Sequence, residues 1–129
     1  MQIHESAEDY LETILVLHRR LGQVRSIDIV NELGYSKPSV SVAMKRLREN
    51  GYIAMDENGY IELKPAGWEI AQRIYTRHYL LTQFLQKLGV SAETAAADAC
   101  KIEHDLSEET FEKITEHALR YMQVELPPL

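Results

Sequence analysis

The stretch that decides the fold is Ser26-Ile27-Asp28-Ile29-Val30-Asn31-Glu32-Leu33-Gly34-Tyr35-Ser36-Lys37-Pro38-Ser39-Val40-Ser41-Val42-Ala43-Met44-Lys45-Arg46-Leu47. Ser26 opens a short helix over residues 26–33, and Gly34 and Tyr35 form a tight turn. Ser36 caps the next helix, with Pro38 in the first turn, where a missing N–H costs nothing. In that helix Val40, Met44 and Leu47 share one face, with Ala43 beside them, and Gly51 ends it. Burying that face leaves Lys37, Pro38, Ser39, Ser41, Val42 and Lys45 or Arg46 outward. A short helix, a turn and a polar-faced second helix is the arrangement that fits the DNA major groove.

On the N-terminal side, Leu11, Ile14, Leu15, Leu17 and Leu21 recur at helical spacing. Ser6 is expected to cap that helix and Gly22 to close it, with Glu8, Asp9 and Glu12 near its positive end. On the C-terminal side, residues 52–55 and 60–63 read as two strands joined by Asp56-Glu57-Asn58-Gly59, a strong turn sequence. Lys64-Pro65 begins a long helix through Leu88, with apolar positions at Trp68, Ile70, Ile74, Leu81, Phe84 and Leu85, and Gly89 stops it. Ser91 caps a helix running to about His104 or Asp105, Ser107 caps a last one through about Met122, and residues 124–129 are a tail. This order is a winged helix joined to a helical module.

Composition narrows the function classes. The 129 residues are 45% hydrophobic and 26% charged, values of a globular domain rather than a disordered chain. Cys100 is the single cysteine, so an intrachain disulfide is excluded. No apolar run approaches the ~20 residues that cross a bilayer. The opening Met1-Gln2-Ile3-His4-Glu5 lacks the basic-then-apolar pattern of a leader, so a cytoplasmic protein without membrane contact is expected. The net charge of −6 falls entirely on residues 51–129, since residues 1–50 hold seven basic and seven acidic side chains. Lys37, Lys45, Arg46 and Arg48 make the third helix locally basic, and such a face binds phosphate even on an acidic chain.

The candidate DNA contacts are therefore Arg25, Ser36, Lys37, Pro38, Ser39, Ser41, Val42, Lys45 and Arg46. Hydroxyls and the Lys37 ammonium reach phosphates or base edges, Val42 or Pro38 meets a thymine methyl, and Arg25, with Arg19 and Arg20, suits flanking phosphates. Asp56 and Glu57 at the wing tip repel phosphates. The competing reading is three packed helices and a hairpin of the kind also found in protein-interaction modules.

A second constellation carries metal chemistry. Asp9 and Glu12 are three apart on one helix face, and Cys100, Glu103 and His104 are spaced i, i+3, i+4, with His78 on the long helix between. Singly, each has an ordinary explanation: surface acids, a satisfied histidine, a small core cysteine. Together, the carboxylates would repel unless a divalent cation joined them. Carboxylates with neutral imidazole suit Mn²⁺, Fe²⁺ or Co²⁺, and a thiolate pulls toward Fe²⁺ or Zn²⁺.

Four stretches carry a resemblance: Ser6-Ala7-Glu8-Asp9-Tyr10-Leu11-Glu12, Ser36-Lys37-Pro38-Ser39-Val40-Ser41, Arg77-His78-Tyr79-Leu80-Leu81-Thr82-Gln83-Phe84-Leu85, and Cys100-Lys101-Ile102-Glu103-His104. In these, and in order over nearly the whole chain, the sequence resembles the diphtheria toxin repressor family of metal-dependent transcriptional repressors, especially its manganese transport regulator branch. The resemblance implies a mainly α protein with a small β-hairpin: a winged helix-turn-helix over 1–70, followed by a helical metal-binding and dimerisation domain over 71–129. It implies a homodimer on a palindromic double-stranded operator and control of manganese or iron uptake genes. It places Asp9, Glu12, His78, Glu103 and His104 on manganese-branch ligand positions. That branch has a glutamate where Cys100 stands. The iron branch has a cysteine there but a methionine where Asp9 stands, so the site is a hybrid. Thr82 and Ala96 replace a glutamate and a histidine that complete second sites in those branches, and the iron branch's SH3-like domain has no counterpart here.

The implied cofactor is Mn²⁺ or Fe²⁺, with Zn²⁺ or Co²⁺ as further candidates, and the implied activity is metal-activated repression rather than enzymatic. Two other classes stand beside it. One is a metal-independent winged-helix regulator whose acidic half is only a dimer interface. The other is a metal-dependent hydrolase, which lacks any signature for a nucleophile, general base or substrate pocket.

Overall fold

The computed structural model describes residues 5–127. The opening residues of the leader reading and the last two of the tail lie outside them. Six helices and a two-stranded antiparallel sheet follow in the order α1 (Glu5–Leu21), α2 (Ser26–Leu33), α3 (Lys37–Glu49), β1 (Ile53–Met55), β2 (Ile61–Leu63), α4 (Pro65–Lys87), α5 (Ala92–Ile102) and α6 (Glu108–Tyr121). The chain divides into two units, one ending at Gln72 and one beginning at Arg73. No described helix is long and apolar enough to cross a membrane.

The first unit is a winged helix-turn-helix. Helix α1 packs on α2 and β2, and α3 packs on α2 and β1. Leu11, Ile14, Leu17, Val24, Ile29, Val40, Met44, Ile53 and Ile61 are buried to within a percent of completely. Gly34 takes φ 73 and donates its N–H to the Val30 carbonyl, closing α2 as a left-handed cap and turning the chain into α3. Ser36 caps α3 as expected, its Oγ accepting the Ser39 N–H. Ile53 pairs with Leu63 and Met55 with Ile61, and Ile61 N–H donates to Val24 O at 2.7 Å, tying the wing to the entry of α2. The wing turn is organised by Asp56, whose Oδ1 accepts from both Asn58 N–H and Tyr60 N–H at 2.9 Å.

In the second unit, Leu80, Ala118 and Val124 form a core with Phe84, Phe111, Ile114 and Met122 packed against it. Ser91 and Ser107 cap α5 and α6, accepting from Thr94 N–H and Thr110 N–H. Helix α6 ends on Gln123 at φ 56, with Val124 N–H donating to Ala118 O.

Several expectations are corrected. Helix α1 already includes Glu5, so Ser6 lies inside its first turn instead of capping it from outside. Helix α2 takes Arg25 as its cap residue, and Asp28 supplies the side chain, accepting Arg25 N–H at 2.9 Å. The strands are three residues each because Tyr52 and Tyr60 stand outside the paired register. Helix α5 stops at Ile102, so His104 sits in the turn beyond it. Leu21 and Trp68 are exposed although they continue apolar stripes. The tail is anchored through residue 127: Val124 and Pro127 are buried, and Gln83 Nε2 donates to Glu125 O.

Candidate metal centre and nucleic-acid interface

Helices α4 and α5 bring three unlike donors together. A ring nitrogen of His78, Sγ of Cys100 and a carboxylate oxygen of Glu103 all lie within 4.8 Å of one another. Cys100 and Glu103 are one turn apart, and Glu103 is the C-cap of α5, still in helical geometry at φ −61 and ψ −25. Cys100 is exposed, His78 half-buried and Glu103 completely buried.

Glu103 is the chemically demanding member. Its Oε2 lies 2.9 Å from His78 Nδ1, within hydrogen-bond distance. Its Oε1 is buried and makes no hydrogen bond among the described residues, with His104 Nε2 standing 3.5 Å away. A buried carboxylate oxygen without a donor is costly. A cation removes that cost, so the residues present fit a bound divalent metal. The set of imidazole, thiolate and carboxylate is a transition-metal set rather than a calcium or magnesium set.

Of the other expected ligands, His104 stands beside Glu103, and its side chain is 2% exposed. Asp9 and Glu12 lie one turn apart on α1 of the first unit, each half-buried. Thr82 is turned to its own helix, donating to His78 O at 2.7 Å, and Ala96 carries no donor atom.

One residue quoted for the resemblance was given no role from sequence. Arg77 is 5% exposed, and its Nη1 donates to the carbonyls of Glu103 and Leu106, both at 2.9 Å. Its Nη2 pairs with Glu108 Oε1 at 2.9 Å, and the guanidinium lies over the Phe111 ring. These bonds satisfy carbonyls that the end of α5 leaves open. Arg77 thus holds the main chain of Glu103 while its neighbour His78 holds the side chain. The available signal was helical spacing: Arg77 falls on the stripe of Ile74 and Leu81, both 1% exposed.

On the first unit, every expected DNA-contacting residue is exposed: Arg25, Ser36, Lys37, Pro38, Ser39, Ser41, Val42, Lys45 and Arg46. Val40, Met44 and Leu47 are buried on the other face of α3. A cleft of about 330 Å³ between α2 and α3 is lined by Ser26, Ile27, Val30, Lys37 and Ser41. The Ser36 hydroxyl is committed to the cap and donates to Ser39 Oγ at 2.8 Å. Arg25 stacks over the Tyr60 ring of the wing at 4.3 Å, a contact not anticipated from sequence. Arg20, considered for flanking phosphates, is instead paired with Glu32, which raises its pKa above the usual arginine value.

A winged helix-turn-helix followed by a helical unit with a transition-metal donor set defines the class of metal-responsive DNA-binding regulators. Comparison with known families agrees at both ends. Residues 2–67 match the iron dependent repressor N-terminal DNA binding domain, and residues 64–123 match the iron dependent repressor metal binding and dimerisation domain. The chain belongs to the iron dependent repressor family. It is 39% identical over 108 residues to the transcriptional regulator MntR of Salmonella typhimurium, covering 84% of this chain and 69% of that one. It is 37% identical over 109 residues to the HTH-type transcriptional regulator MntR of Geobacillus kaustophilus, covering 84% and 77%. Among solved structures, the manganese regulator SloR superposes with a TM-score of 0.77 at 26% identity, over 92% of this chain and 55% of that one. A manganese-dependent transcriptional repressor in complex with manganese gives 0.80 at 22% identity, over 95% and 62%, a likeness of fold. The chain therefore spans between half and two thirds of the length of these two structures.

Proposed function

We infer that this chain is a divalent-metal-activated, DNA-binding transcriptional repressor acting as a homodimer in the cytoplasm, with no enzymatic step of its own. Residues 1–70 are its winged-helix DNA-binding domain, and residues 71–129 its helical metal-binding and dimerisation domain. The observation that carries the reading is Glu103, a wholly buried carboxylate beside His78 and Cys100, with one oxygen that no described donor satisfies. Asp9, Glu12 and His104 are assigned to the same function as ligands. When bound, a divalent cation supplies the positive charge that lets these carboxylates share one site. Without it their repulsion opposes the arrangement in which two recognition helices are spaced for successive major grooves.

The chain's own residues then do the reading. Lys37 and Arg25 neutralise phosphates, Lys45 and Arg46 extend the basic face, and Ser39 and Ser41 offer hydroxyls to base edges. Pro38 and Val42 present apolar surface to thymine methyls. Ser36 contributes by fixing the start of α3. A two-fold dimer implies a palindromic operator with half-sites about one helical turn apart or a multiple of it. Similarity to manganese regulators supports metal-uptake genes as targets, with manganese or iron as the signal.

Driving such a switch from 1:99 to 99:1 requires about 5.5 kcal/mol of differential metal affinity. By reciprocity, DNA tightens metal binding. The test is binding to a duplex selected from a random pool with metal present. Affinity is expected to fall at least ~100-fold when the metal is chelated. Equal affinity with chelator and with Mn²⁺ or Fe²⁺ would establish the metal-independent regulator instead, and a monomer at working concentration would remove the dimer.

A further inference from the structure

The wing carries Asp56 and Glu57 at its tip, so its own charges do not help a surface that binds phosphate. Tyr60 gives it another way to act. The Arg25 guanidinium lies over the Tyr60 ring, 4.3 Å from the centroid. We propose that Tyr60 is a positioning residue for DNA binding: its ring holds Arg25 where the cation meets a backbone phosphate, so the hairpin works on DNA through a side chain at the start of α2. The proposal rests on the reading that the first unit binds DNA and adds how one of its contacts is placed.

Three observations support it. The main chain sets the two residues side by side: Ile61 N–H donates to Val24 O at 2.7 Å, joining the residue after Tyr60 to the residue before Arg25. Each is also tied locally, with Asp28 Oδ2 accepting the Arg25 main-chain N–H and Asp56 Oδ1 the Tyr60 main-chain N–H, both at 2.9 Å. Second, Tyr60 is half-buried and Arg25 exposed, so the ring is the anchored partner and the cation the presented one. Third, the charge is uncommitted. Arg20 is paired with Glu32 and Arg77 with Glu108, but among the described residues no carboxylate pairs with the Arg25 guanidinium. A ring attracts a cation through its quadrupole and carries no net charge to neutralise it. Arg25 is therefore held and still available to an anion, whereas a carboxylate in the place of Tyr60 would hold it and cancel it.

The experiment is a double-mutant cycle on the full chain, titrated with a duplex selected from a random pool with Mn²⁺ or Fe²⁺ present. An exposed stack favours the held arrangement by about 2–5-fold, so Y60L, which keeps apolar bulk and removes the ring, should weaken binding by about that factor and leave its salt dependence unchanged. Y60F keeps the ring and should bind as the parent does. R25A should weaken binding and reduce the slope of log K against log salt by ~1. In the R25A background Y60L should cost nothing further. If Y60L acts by touching DNA itself or by damaging the wing, its loss persists in R25A, and that result overturns the proposal. So does a Y60F loss equal to that of Y60L, or an R25A variant that binds like the parent. Each of these leaves the repressor reading standing. Failure of the parent chain to bind any duplex with either metal overturns both.

Discussion

Replacing Arg77 with Met tests whether the metal centre is held from below. Met keeps much of the length and apolar stem while removing every donor. The loss leaves the Glu103 and Leu106 carbonyls without their partner. The orphaned buried Glu103 carbonyl costs ~1–3 kcal/mol, and the part-buried Leu106 carbonyl less. The stack on Phe111 adds ~0.5–2 kcal/mol. The pair with Glu108 adds little, because that carboxylate is 66% exposed and screened. Relief of the buried charge, whose Nε has no hydrogen-bond partner among the described residues, offsets part of this. A net loss of about 2–4 kcal/mol follows, near 10 °C in melting temperature at matched protein concentration. Metal affinity should fall with it, by ~10–100-fold measured well below the melting transition, because Glu103 loses its main-chain anchor. Two controls separate positioning from bulk stability. E108Q should change melting and metal affinity little. F111L should destabilise the second unit's core and leave metal affinity near the parent value. The reasoning is refuted if R77M melts within ~2 °C of the parent and binds Zn²⁺ equally well.

Three further outcomes are expected. Ser36→Ala removes the cap on α3 and should cost ~1 kcal/mol in chemical denaturation, with a larger proportional loss of DNA affinity than of stability. Lys37→Ala should weaken binding about equally across duplex sequences and reduce the slope of log K against log salt by ~1; a sequence-selective loss would instead make Lys37 a base reader. Gly67→Ala should be severely destabilising by thermal melting, because a Cβ there would sit 2.1 Å from the Tyr52 carbonyl oxygen and 3.4 Å from Leu11 Cδ2; a melt equal to the parent's would show that α4 can shift freely on the wing.

The helix-turn-helix was legible because its signals agree. Ser36, Pro38 and Gly34 each specify local backbone, and Val40, Met44 and Leu47 repeat at the helical period. The opening of α2 was harder: Ser26 is a good capping type, yet the bond comes from Asp28 reaching back to Arg25. Spacing correctly put Cys100 and Glu103 on one face, but no local signal marked the end of α5 at Ile102, because Glu103 and His104 carry neither a proline nor a glycine break. Arg77 stands in a stretch quoted for the resemblance, but spacing alone gave it no role. Its position on the Ile74 and Leu81 stripe outweighs its type, since two open carbonyls at the end of α5 give a buried guanidinium its partners. Residues 124–129 read only as a tail, because their apolar residues are too few for periodicity. What anchors it is tertiary, with Val124 in the core of α4 and α6.

The stacking of Arg25 on Tyr60 also bears on how quickly this surface captures its target. A guanidinium held over a ring has given up part of its rotamer freedom, so less ordering remains to be done at the moment of collision. Arg25 stays exposed to an incoming anion. Tyrosine in the wing thus acts as a rest for a cation on the neighbouring helix, and the hairpin contributes to association speed without carrying a positive charge near its own acidic tip.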